Sequence, residues 1–167
     1  MKRWSILLSS LLLSSWLFLT ACTATPPSDF EAAQNASTEK GATAVVEEAI
    51  AGSQFNAFFP AAEGDYDVVY TQEKTGFAQA KLKQSGTDLA VLSIADITSN
   101  PSAADKYANS TNEINGYPTV EQGKNGTGAL VGDRFQVKVQ SRSEDFSASD
   151  RQTWLAKFDL DGLAALQ

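Results

Sequence analysis

The sequence predicts a single α+β domain: a mainly antiparallel sheet of about six strands with helices packed against it. Three observations carry that expectation. Short stretches of alternating apolar and polar residues are separated by Gly-bearing turns, the pattern of a meander. Two segments break this period with helix-start signals, Asn100-Pro101 and Ser147 with Asp150 three residues on. The chain has 167 residues, 43% of them hydrophobic, which is enough for one core and hardly for two.

Taken in order, Thr38 to Ala51 is a helix-friendly mix closed by Gly52, so a short helix is expected over 38–52. Phe55, Phe58 and Phe59 are too many rings to leave in water, which places the globular domain at 53–167. Tyr66, Val68 and Tyr70 then alternate with polar residues. After Lys74-Thr75-Gly76, Ala78, Ala80 and Leu82 alternate with Gln79, Lys81 and Lys83. Ser85-Gly86 turns the chain again, and Leu89 to Ile97 is apolar enough to predict a strand buried on both faces.

Asn100 as N-cap and Pro101 at the first helical position predict a helix. Ala104, Tyr107, Ala108, Thr111 and Ile114 carry it at helical spacing, and Gly116 closes it. Pro118 to Gln122 is a candidate strand, and Asn125-Gly126 is read as the strongest hairpin signal. Gly126 to Val131 leads to a turn at Gly132-Asp133. Phe135, Val137 and Val139 then alternate with Arg134, Gln136, Lys138 and Gln140, the cleanest half-buried strand in the chain. Trp154 and Phe158, at i and i+4, supply the apolar face of a final helix or helical turn. The layout is three strands, helix, three strands, helix, with the helices expected on one face of the sheet. In outline it is loosely similar to the PsbP type of sandwich.

The first residues read differently. Met1-Lys2-Arg3 is a charged opening, and Trp4 to Leu19 is an uncharged, Leu-rich run too short to span a membrane comfortably. That is the make-up of a secretory signal. The run ends in Leu19-Thr20-Ala21-Cys22, which resembles the lipobox of bacterial lipoproteins at all four positions. The resemblance implies a signal peptide at 1–21, cleavage before Cys22, and lipid on the Cys22 thiol and usually on its new amino group. Two or more acyl chains hold a protein stably on a bilayer without a spanning helix. Residues 22–37 would be a flexible tether. Thr23, in place of Asp after the Cys, favours the outer membrane if the host is Gram-negative. The expected location is therefore a bacterial membrane, lipid-anchored, with the domain facing the periplasm or the exterior.

Composition excludes much chemistry. There is no His and one Cys, which removes Ser-His-Asp triads, Cys-His dyads, His-based zinc sites and intrachain disulfides. Of 13 basic residues Lys2 and Arg3 would leave with the signal, so 11 face 20 acidic ones and the mature net charge is -9. Such a charge opposes binding to nucleic acid. Gly123 to Gly128 superficially resembles a phosphate loop, but its Lys comes early and a strand follows, so a hairpin is expected. Asp159 to Gly162 cannot be a calcium loop, because its twelfth position lies beyond Gln167. No metal, cofactor or catalytic residue is assigned.

The best lead is a cationic-polar sheet face formed by Lys81 and Lys83 on one strand and Arg134 and Lys138 on another. The leading expectation is a non-enzymatic lipoprotein whose domain binds an envelope protein or glycan. A small-ligand carrier with a pocket lined by Phe135, Trp154 and Phe158 is the first alternative. A hydrolase, which would need a carboxylate with a raised pKa in a cleft, is the second.

Overall fold

A computed structural model describes residues 49–166. The expected signal peptide, Cys22, the tether and the helix up to residue 48 lie outside the described residues. Seven strands form one sheet: β1 Tyr66–Lys74, β2 Phe77–Gln84, β3 Thr87–Asp96, β4 Asn112–Ile114, β5 Tyr117–Gln122, β6 Gly126–Val131 and β7 Phe135–Ser141. Their order is β1-β2-β3-β7-β6-β5-β4, and every neighbouring pair is antiparallel. Two meanders are thus joined through the β3–β7 pair. Two 3-10 segments, η1 Gly52–Phe58 and η2 Pro101–Tyr107, and two helices, α1 Ala148–Leu155 and α2 Leu160–Ala164, pack on this sheet.

One face of the sheet is apolar because strand parity makes it so. Ala78, Ala80 and Leu82 of β2, Leu92 and Ile94 of β3, and Phe135, Val137 and Val139 of β7 are all fully buried. Phe55 of η1, Trp154 and Leu155 of α1, and Phe158 and Leu163 cover them in one cluster. Phe55 meets Phe135 edge-on with ring centroids 5.9 Å apart. The expected alternation of β7 is thus the observed one, and the central run of β3 is buried on both faces. The capping box at the start of α1 is present: Ser147 Oγ accepts from the Asp150 amide, and Asp150 Oδ2 accepts from the Ser147 amide at 2.8 Å.

Four expectations need correction. The sheet has seven strands rather than six. The helix begun at Pro101 ends at Tyr107 as a 3-10 segment, and Asn112–Ile114 is a strand. Asn115 and Gly116 both have positive φ, 53° and 83°, and form the two-residue turn that pairs Ile114 with Tyr117. That Asn-Gly makes the tight turn. At Asn125-Gly126 the hairpin loop is instead Gly123 to Asn125, with positive φ at Gly123 and Gly126 already paired with Gln122.

Third, the helices are not confined to one face. η2 sits on the opposite side, where Tyr107, Ile97 and Leu130 make a second small cluster. Tyr107 Oη accepts from Gln122 Nε2 at 2.9 Å and Gln136 Nε2 at 3.0 Å. Gly128 leaves room for this clamp, since a Cβ there would meet Gln122 Nε2 at 2.2 Å and Tyr107 Oη at 2.6 Å and push them aside. Fourth, Asp159 begins a helix rather than a simple turn. Its carboxylate accepts from the Gly162 amide and caps α2.

Ile50, next to the first described residue, already belongs to this fold. Ile50 packs on the main core, and its carbonyl accepts from the Gly76 amide at 2.6 Å. This is the end of the sheet where β3 finishes and β7 begins.

Candidate functional site

The register decides what becomes of the cationic face. Lys81 lies opposite Val91, which lies opposite Gln140; Gln79, Ser93 and Lys138 make the next row. Lys81, Lys83 and Lys138 therefore share the face opposite the main core, with β3 between the two strands that carry them. Arg134 does not join them. It sits at the β6–β7 turn and reaches Asp96 with Nη2 at 2.8 Å and Nε at 3.2 Å.

Most of this charge is spent inside the domain. Asp88, which enters β3 just after the Ser85-Gly86 turn, takes Lys81 at 2.5 Å and Lys83 at 2.9 Å. The hydrogen bonds from those two lysines hold its carboxyl below the usual range. Asp96 is more enclosed, with a side chain that is fully buried. Burial alone would raise its pKa, but Arg134 and the Thr98 hydroxyl and amide outweigh it and hold the carboxyl down. Lys138 has no ion pair among the described residues. Burial, with the like charge of Lys138 beside it, lowers the pKa of Lys106. The four residues singled out from sequence are thus one ion-paired Lys couple, one guanidinium turned to Asp96 and one lysine near another.

A second feature lies at the far end of the sheet from Ile50. The β5–β6 loop, the segment after β7 and the start of α1 enclose a concavity of about 460 Å³. Lys124, Arg142 and Arg151 line it, with Ser143, Phe146 and one carboxylate, Glu144. Its walls are fixed by backbone bonds: Ser141 N to Asn125 O at 2.8 Å, and Arg142 N to Leu89 O at 2.7 Å.

Arg151 is 4% exposed. It falls on the buried side of α1 with Trp154 and Leu155, at i, i+3 and i+4. Its Nε donates to Thr127 Oγ1 at 2.9 Å, Nη1 to Ser141 Oγ at 3.1 Å, and Nη2 to Glu121 Oε2 at 2.5 Å. Thr127 Oγ1 in turn donates to Glu121 Oε1 at 2.7 Å. The two residues that close this ring, Glu121 and Arg151, carried no assigned role in the sequence reading. The available signal was a charged residue on the apolar stripe of a helix.

Three carboxylates, Asp88, Asp96 and Asp150, are held below their ordinary range, each by donors around it. Among the described residues no group of three or more metal-ligating side chains stands together. Phe135, Trp154 and Phe158, the lining proposed for a ligand carrier, are core residues of 0%, 5% and 3% exposure. Comparison with known proteins finds no matching family model, curated relative or solved structure.

Proposed function

We propose that the chain is a lipid-anchored extracytoplasmic lipoprotein whose domain binds an anionic or acidic envelope component and catalyses no reaction. The observation that carries the anchoring half is Leu19-Thr20-Ala21-Cys22 directly behind an uncharged Leu-rich run. Support for binding over carriage comes from the core, where Phe135, Trp154 and Phe158 fill the space a carried ligand would need. Carboxylates held low, rather than raised, favour binding over acid–base catalysis.

The test is metabolic labelling with a palmitate analogue, combined with membrane fractionation. The native chain is expected to carry label and sediment with membranes, whereas Cys22→Ser is expected to do neither. Label on Cys22→Ser would overturn the reading.

A further inference from the structure

The concavity at the far end of the sheet has the make-up of an anion site. Three of its lining side chains are cations and one, Glu144, is a carboxylate. Among the described residues Lys124 and Arg142 make no ion pair, and both are exposed on the rim. Neither is neutralised in the way Lys81, Lys83 and Arg134 are.

The floor is the stronger observation. A guanidinium has five N–H donors in a planar fork, and a buried donor without an acceptor costs free energy. Arg151 uses Nε, one donor of Nη1 and one of Nη2 on Thr127, Ser141 and Glu121. One N–H on each terminal nitrogen has no acceptor among the described residues. When the two remaining N–H groups share the outer edge of the fork, they match two oxygens of a single oxyanion. Ser141 and Thr127 hydroxyls, each bonded on both sides, hold that fork in place.

We propose that this concavity binds a phosphate group, free or as a monoester, with two oxygens on the Arg151 Nη atoms and Lys124 and Arg142 closing over it. The inference rests on the binding reading of the domain for the ligand's origin in the envelope. Its geometry is independent of the lipid anchor. A volume of about 460 Å³ exceeds what one phosphate needs, leaving room for the sugar or alcohol that an ester would carry.

The test uses the full chain in detergent, titrated with inorganic phosphate and separately with glucose 1-phosphate, and followed by amide shifts of Ser143 and Ala148. Saturable shifts at both amides are expected. The double variant Lys124→Ala/Arg142→Ala, changed only at exposed positions, should bind about tenfold more weakly with an unmoved thermal midpoint. Tighter binding of the sugar ester than of the free ion would assign an esterified source, and equal binding a free one. No saturation by either probe below ~10 mM overturns the proposal, as does undiminished binding by the double variant. Palmitate labelling of Cys22 is blind to phosphate, so a native chain that carries label yet fails to bind either probe sinks the site and leaves the anchoring reading standing.

Discussion

Arg151 is 4% exposed, while the Glu121 carboxylate it meets at 2.5 Å is 46% exposed. The pair is therefore a buried cation held by a half-solvated anion, and its two halves are not equivalent. Removing one partner of a buried pair is expensive when it strands the other as a buried charge. Glu121→Ala strands the guanidinium with only hydroxyl acceptors and should cost about 3 kcal/mol. Arg151→Met leaves a carboxylate that water can reach and keeps most of the side-chain volume, so about 1 kcal/mol is expected. Urea unfolding of both variants checks this. A greater loss in Arg151→Met than in Glu121→Ala would show that the burial asymmetry does not govern the pair.

The parity of β7 makes a second contrast. Val137 is fully buried between β3 and β6 partners Ile94 and Ala129, whereas Lys138 beside it faces the other side. Val137→Ala should cost on the order of 1–3 kcal/mol through lost methyls and the cavity they leave. Lys138→Ala should cost less than about 0.5 kcal/mol, or raise stability slightly by relieving its like-charge neighbour Lys106. Equal losses from the two would mean that the strand does not hold a single register.

These strands were legible because their signals are local. Period-2 alternation and turns such as Ser85-Gly86 suffice for β2, β3 and β7, and Ser147 and Asp150 lie three residues apart. β4 was not legible for a physical reason. Tyr107, Thr111 and Ile114 fall at helical spacing by coincidence, and that period outweighed Asn115-Gly116, whose two positive φ angles make the tighter turn. The side of the sheet chosen by η2 was equally hidden. It follows from Tyr107 finding two amides, on β5 and β7, that become neighbours only once β6 lies between them. The cationic face was half legible. Parity placed Lys81, Lys83 and Lys138 together, but the one carboxylate that neutralises two of them, Asp88, arrives through register. The Arg151 cluster joins three strands and a helix, and no short-range pattern announces it.

The Tyr107 clamp carries a third prediction. Burial pushes the Tyr107 phenol up to about 12, partly offset by the two amide donors. Tyr107→Phe leaves Gln122 and Gln136 without their shared acceptor and should cost about 1–2 kcal/mol. Gly128→Ala drives a methyl into the same clamp and should cost about 1–3 kcal/mol. Because both changes break one device, the double variant should lose less than the sum of the two. Strict additivity, measured by a double-mutant cycle, would mean that Gly128 is required for something other than the clamp.

The last prediction concerns acid and follows from Asp96. Its buried carboxylate accepts from both Nε and Nη2 of Arg134, from the Thr98 hydroxyl at 2.5 Å and amide at 3.0 Å, and from the Ile50 amide at 3.4 Å. It thus ties together the end of β3, the β6–β7 turn and the arriving chain. The folded-state pKa lies below the ordinary 3.8, despite burial, because these donors favour the ionised form. A carboxyl depressed in the folded state contributes stability that is fully present above the unfolded pKa. That contribution is lost as pH falls through the folded one. Breaking a buried pair costs roughly 3–5 kcal/mol, and the partial exposure of Arg134 places Asp96→Asn at about 3 kcal/mol at neutral pH. The gap between wild type and Asp96→Asn should then close as pH drops below 3.8, with the variant showing the flatter dependence. Arg134→Met should reproduce the neutral-pH loss, because it leaves the same carboxylate buried with fewer donors. A gap that widens on acidification would invert the sign and remove Asp96 as the group that ties these three segments together.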